Sequence, residues 1–301
     1  MMGFTKKNNK SSKKRGFSFI ELSIVIAIIG ALASGIIGGQ KAVELAALNG
    51  ARSTTETSPV TSMDGIVLWL DTTSKKSFDA SETQNGSKVT NWYDINPKLN
   101  DPLNFTRSDP NEKPVYTTKA IGRLPALAFS QSSMITVKTN ITSDRIASYT
   151  GEITVFAVGK NDGTGALSAT FFLFTPTDFE RLGIDFSYPT ILWNAGICCD
   201  GSRVTTNFSS FVNRWTIVTG VRKANTTELR INGITQNIAT TPIEPISHSS
   251  AGHLNIGGNF NDAERLSGGI AEIIVFNRGL GTSEVKDVES YLSQKWKIKL
   301  N

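Results

Sequence analysis

From Leu22 to Gly39 the chain runs 18 residues without a charge. As a helix rising ~1.5 Å per residue this run covers ~27 Å, close to the ~30 Å hydrocarbon core of a bilayer. Glu21 stands at its edge, where a carboxylate facing lipid is costly without a partner. Lys6, Lys7, Lys10, Lys13, Lys14 and Arg15 precede it, and residues 1–16 contain no acid. Basic flanks stay in the cytoplasm, so the leader is expected inside and the C-terminal bulk outside. Three readings compete. A secretory signal peptide has a shorter apolar core and a small-residue cleavage site, for which residues 35–39 are small enough. A plain signal anchor leaves Glu21 unexplained. The third reading takes Glu21 together with the residues before it.

The charge balance bears on partners. The chain has 31 Lys and Arg against 26 acids. Without the six leader bases, 25 remain against 26. The basicity therefore belongs to the leader, and no nucleic-acid partner is expected. Cys198 and Cys199 are adjacent, so they make no disulfide framework, and a strained vicinal disulfide or two loop thiols both fit. His248 and His253 lie five apart with no metal-ligand spacing, so no zinc site is expected.

The residues Lys14-Arg15-Gly16 followed by Phe17-Ser18-Phe19-Ile20-Glu21 and the apolar helix resemble the processing signal of type IV pilins and type II secretion pseudopilins. The resemblance implies that a membrane prepilin peptidase cuts between Gly16 and Phe17 and methylates Phe17. Glu21 then becomes the fifth residue of the mature chain, one helical turn from the new ammonium, on the same face. In a filament its carboxylate can meet the ammonium of a neighbouring subunit, which offsets the burial of both charges. The implied partners are the prepilin peptidase, other pilin or pseudopilin subunits and the inner membrane. The implied location is a single-pass bacterial inner-membrane protein, leader cytoplasmic and head periplasmic or extracellular, or a pilus.

The sequence divides into a leader (1–16), a transmembrane and assembly helix (17–50), a linker (51–63) and a head (64–301). Ala42, Val43, Leu45, Ala46 and Leu48 extend the helix, and Asn49-Gly50 reads as its stop. The Ser/Thr-rich stretch from Ala51 to Met63 reads as a tether.

Beyond Asp64, short strands follow at close intervals, and Asn232-Gly233 marks a hairpin. Val285, Val288, Leu292 and Trp296 form one stripe of a closing helix with its N-cap near Thr282. The expected fold is mainly β, an antiparallel sandwich or jelly roll preceded by one long hydrophobic helix. The stretches "GIVLWLDTTSKKSF", "VTNWYDIN", "RWTIVTGVRK" and "GGIAEIIVFNRGLGTSEVKDVESYLSQKW" resemble the concanavalin A-like (laminin G-like) superfamily. Its members include lectins, adhesion modules and glycoside hydrolases, so the fold alone does not assign a function.

Hydrolases of that superfamily place acids at alternate positions of one strand, which puts them on one face for acid/base work. Here "GGIAEIIVFN" carries Glu272 alone, and Asp178 and Glu180 lack a third acid. A non-enzymatic head is therefore expected. The expected ligand is a glycan or a protein, with an anchored lectin or glycoside hydrolase that does not polymerise as the alternative. Trp193 and Tyr188, in a stretch read as a loop, are the candidate ligand contacts. No cofactor is required. Calcium is the one ion that strand-end acids could hold, with Asp71 and Asp94 as candidate ligands.

Overall fold

The computed structural model describes residues 19–133, 135–147, 151–164, 169–175, 180–187, 189–197, 203–240, 251–258 and 265–301, without the side chains of 21, 27, 30–37, 136–144, 169, 180, 197 and 251. The chain forms two compact units, Met1–Ala46 and Ala47–Asn301. Helix α1 (Phe19–Glu56) supplies the described part of the first unit and the opening turns of the second. In the first unit Phe19, Ile20, Leu22, Ile24, Val25, Ile26, Ile28 and Ile29 are exposed. Among the described residues no helix is long and apolar enough to cross a membrane.

In chain order the second unit holds β1 (Ile66–Asp71), β2 (Asn91–Trp92), β3 (Phe105–Thr106), β4 (Val115–Ile121), β5 (Leu124–Phe129) and β6 (Ile135–Thr142). A short helix α2 (Ser143–Ile146) precedes β7 (Ile153–Asn161), β8 (Ala169–Thr175), β9 (Glu180–Ser187), β10 (Thr190–Ile197) and β11 (Val204–Asn207). Then come β12 (Thr216–Lys223), β13 (Thr226–Ile231), β14 (Ile234–Ala239), β15 (Ala251–Ile256), β16 (Gly268–Phe276) and helix α3 (Thr282–Trp296).

The strands make two antiparallel sheets. One runs β14-β13-β12-β7-β16-β5-β4, with β1 also paired to β16. The other runs β11-β10-β9-β8-β15-β6-β3-β2. The expected sandwich is what forms. The hairpin between β13 and β14 turns at Asn232 (φ 48°) and Gly233 (φ 83°), the two positive angles that this tight turn requires.

Alternation along β7 and β16 separates two cores. Val155, Ala157, Ile273 and Val275 face the opposing sheet. Phe156, Val158, Ile274 and Phe276 face a second cluster with Val285, Val288, Leu292 and Trp296 of α3. The first sheet is thus buried on both faces, which accounts for its continuous apolar runs. Gly220 on β12 lies beneath Trp193, where a Cβ would come 2.4 Å from the indole.

The linker expected over 51–63 is corrected. Helix α1 continues through Glu56, and Pro59–Thr61 forms a 3-10 turn. Ala51 and Thr55 are one turn apart and both buried, as are Ser58 and Val60. The Arg52 Nε donates to the carbonyl of Thr73 at 2.7 Å. Packing on the head outweighs the Asn49-Gly50 stop signal, because propensity is a weak term beside tertiary burial.

Candidate functional site

Two groups of polar side chains lie on the sheet faces turned away from the shared core. The first is built on β16. Glu272 sits between Ala271 and Ile273 in an otherwise apolar strand. A bulge beside Ile270 restarts the alternation and turns Glu272 toward α3. Its Oε1 accepts from the Trp69 Nε1 at 2.8 Å and the Tyr291 hydroxyl at 2.7 Å. Its Oε2 accepts from the Lys295 Nζ at 2.8 Å and the Trp296 Nε1 at 2.6 Å. Tyr291 and Lys295 are four apart on α3, so one helix face delivers both. Asp71, the last residue of β1, lies 2.8 Å from the Lys295 Nζ through Oδ2. The same Oδ2 accepts from Thr55 of α1 at 3.0 Å. Its Oδ1 accepts from the Thr73 N–H and from the Thr73 hydroxyl, each at 2.8 Å.

Asp71, Glu272 and Lys295 are all fully buried. Burial pushes the Glu272 carboxyl above the ordinary carboxylate range, and the Lys295 ammonium pulls it back. Burial likewise raises the Tyr291 hydroxyl well above its usual value. A second buried pair fastens α3 to β13, where the Arg230 Nε and NH2 donate to both oxygens of Glu289 at 3.0 and 2.9 Å.

The second group lies on the opposite sheet. Leu182, Ile184, Phe186, Ile191, Trp193, Ala195, Leu254 and Ile256 all belong to the inter-sheet core. Their strand neighbours Arg181, Asp185, Asn194, His253 and Asn255 therefore face outward. Register aligns them. Asn194 lies opposite Gly183, which lies opposite Leu173, which lies opposite Asn255. Asp185 stands beside Leu192 and Thr170, and His253 beside Thr175. The Asn194 amide donates to the Asp185 carboxylate. Asp185, Asn194 and Asn255 are buried, Arg181 is half-buried and His253 is exposed. A carboxylate, two carboxamides, a guanidinium and an imidazole supply donors and acceptors in the mixture that sugar hydroxyls require.

The structure redistributes the residues singled out from sequence. Trp193 is corrected from a loop contact to a core residue. It lies within β10, is fully buried and belongs to the inter-sheet cluster. Its flanking residues Asn194 and Leu192 occupy the outward face instead. Asp71 and Asp94, read as strand-end acids open to an ion, are buried groups whose oxygens already accept hydrogen bonds. Asp94 takes the backbone N–H of Trp69 and Asn96 on Oδ1, at 2.9 and 3.0 Å, and that of Leu103 on Oδ2 at 3.2 Å. Burial nevertheless pushes its carboxyl up to about 6. Among the described residues no group of three or more His, Cys, Asp or Glu could hold a metal ion. Gly16, Phe17, Tyr188, Asp178, Cys198 and Cys199 lie outside the described residues, as do the side chains of Glu21 and Glu180. Within the outward polar row, Asn194 is hidden from a sequence reading because "SYPTILWNAGICC" reads as a loop. Strand alternation from Ile191 to Ala195 was the signal that could have found it.

Residues 118–286 match the family model of the concanavalin A-like lectin/glucanase superfamily. The chain belongs to that superfamily. Residues 11–37 of this concanavalin A-like chain also match the prokaryotic N-terminal methylation motif. No curated protein matches the sequence. Among solved structures, the binding domain of Paraclostridial Mosquitocidal Protein 1 is 14% identical with a TM-score of 0.52, over 76% of this chain and 53% of that one. The Trypanosoma rangeli sialidase with the inhibitor DANA is 14% identical with a TM-score of 0.50, over 77% of this chain and 33% of that one. Domain 4 of AbnA, an extracellular arabinanase of Geobacillus stearothermophilus bound to arabinotriose, is 12% identical with a TM-score of 0.49, over 74% and 98%. The concanavalin A-like chain thus spans about half of the mosquitocidal domain and a third of the sialidase. At these identities the likeness shows the fold alone.

Proposed function

We propose that this protein is a pilin-like or pseudopilin-like subunit whose β-sandwich head is a non-enzymatic glycan-binding module. The observation that carries the reading is the pairing, in one chain, of a methylation motif at 11–37 with a concanavalin A-like domain at 118–286. In this reading the prepilin peptidase cuts after Gly16, methylates Phe17 and leaves Glu21 to pair with a neighbouring subunit's ammonium. The inner membrane holds the subunit before assembly. On the outward face, the exposed His253 and the half-buried Arg181 contact the glycan. Glu272 lies in the middle of β16, and its four hydrogen-bond donors commit it to the fold. This supports binding over hydrolysis.

The test uses the full chain expressed with an assembling pilus system. Sheared filaments should contain the processed chain, and Glu21→Ala should remove it from that fraction. The detergent-solubilised chain should bind glycans on an array without cleaving them. Membrane retention with no filament incorporation would favour the anchored, non-polymerising alternative. Turnover of any arrayed glycan would make the head an enzyme and contradict the proposal.

A further inference from the structure

Lys295 is enclosed between two carboxylates. Its Nζ is 2.8 Å from Asp71 Oδ2 and 2.8 Å from Glu272 Oε2, and all three side chains show 0% exposure. It also lies 4.9 Å from the centre of the Trp296 ring and 5.6 Å from that of Tyr291. A buried ion pair is a poor source of stability, since desolvating the charges costs as much as their attraction returns. The same enclosure makes a good place to join an amine to a carboxyl group. The partners are held in contact, and the water that would reverse the reaction is excluded.

We propose that Lys295 and Asp71 become joined by an isopeptide bond, formed by the folded head itself with Glu272 as the proton relay. Glu272 Oε2 takes one proton from the Lys295 ammonium and passes it to Asp71 Oδ2. This leaves a neutral amine beside a neutral carboxyl group. The nitrogen lone pair attacks Asp71 Cγ, the C–N bond forms, and the carbonyl electron pair moves onto Oδ1. There the Thr73 N–H and hydroxyl, each at 2.8 Å, meet the developing negative charge. A second proton moves from nitrogen through Glu272 to Oδ2. The Cγ–Oδ2 bond breaks and that oxygen leaves as water. One ammonium and one carboxylate give one neutral amide and one water, with no oxidant or cofactor.

The two carboxylates differ in a way that assigns their roles. Glu272 is gripped on both oxygens by Trp69, Tyr291 and Trp296, which fixes it as an acid/base. Burial also raises its proton affinity, as a relay needs. Asp71 alone has a backbone N–H aimed at the oxygen that would carry the intermediate's charge. The bond would tie the end of β1 to the end of α3 in the covered face of the sandwich.

The test is tryptic digestion and mass spectrometry of the purified full chain. The expected product is one branched peptide joining residues 53–75 to 287–297, lighter than their sum by one water, about 18 Da. Glu272→Gln keeps the side chain's shape, and bond formation should fall on the order of a hundredfold. Glu272→Ala, checked for folding by circular dichroism, should give the two peptides unlinked. Separate Asp71 and Lys295 peptides from folded wild-type protein would overturn the proposal. So would a link from Lys295 to Glu272, or a link that forms in Glu272→Gln at the wild-type rate.

Discussion

The two sheets of the head use outward polar groups in opposite ways. On the β16 sheet, Asp71, Glu272 and Lys295 are sealed under α3 and the last turn of α1, and donors from both helices engage the carboxylates. On the β9 sheet, the row from Asn194 to Asn255 is flanked by a half-buried Arg181 and an exposed His253. The difference teaches what a polar side chain in an apolar strand is for. Where donors from several elements converge on it, it fastens those elements together. Where the polar side chains pair with one another along the strands, as Asn194 does with Asp185, only the edge of the row, at His253, is open to solvent.

The comparison can be broken by substitution, beginning with the largest effect. Lys295→Met leaves two buried carboxylates without their cation. It should cost about 3–5 kcal/mol in urea unfolding, with no need of a ligand to reveal it. Trp193→Ala should cost a similar ~3–5 kcal/mol, because it opens a cavity over Gly220 in the inter-sheet core. A Trp193→Ala protein of unchanged stability that fails to bind glycan would restore Trp193 as a contact.

Asp94 gives a pH test of intermediate size. Its folded carboxyl is raised from 3.8 to about 6, so the fold binds the proton more tightly than the unfolded chain does. Stability from this group is highest below about pH 4 and is lost as pH rises to about 6, a fall of ~2–3 kcal/mol. Thermal unfolding between these limits measures it. Glu284 runs the other way. The Arg278 guanidinium holds it down at about 2, so its contribution is lost as pH falls below about 4.5. The smallest effect on stability belongs to the exposed His253. His253→Ala should change unfolding by less than ~0.5 kcal/mol. It should weaken glycan binding about tenfold, ~1.4 kcal/mol, in a titration of the full chain.

Much of this was legible in the sequence. The hairpin at Asn232-Gly233, the stripe of α3 and most strands could be read from periodicity and turn chemistry, which are local signals. The end of α1 could not, since Ala51 and Thr55 are helical because of what they bury against, and only the tertiary structure supplies that. Asp71 and Asp94 read as strand-end acids open to an ion because sequence shows neither the Thr73 and Thr55 donors nor the three backbone N–H groups that hold them. Trp193 reads as a candidate contact for a related reason. Its strand lies among Gly, Pro and Cys residues that suggest a loop, and the pairing with β9 and β11 fixes the short Ile191–Ala195 alternation as a strand. Glu272 reads as a lone acid, because its partners lie elsewhere in the sequence, on β1 and α3.

The central claim, that a pilin-type signal delivers this head into a filament, is tested most directly by mass spectrometry of the N terminus recovered from sheared filaments. The account predicts a mature chain beginning at N-methylated Phe17. A chain that still carries residues 1–16, or that is absent from the filament fraction while abundant in the membrane, would contradict it.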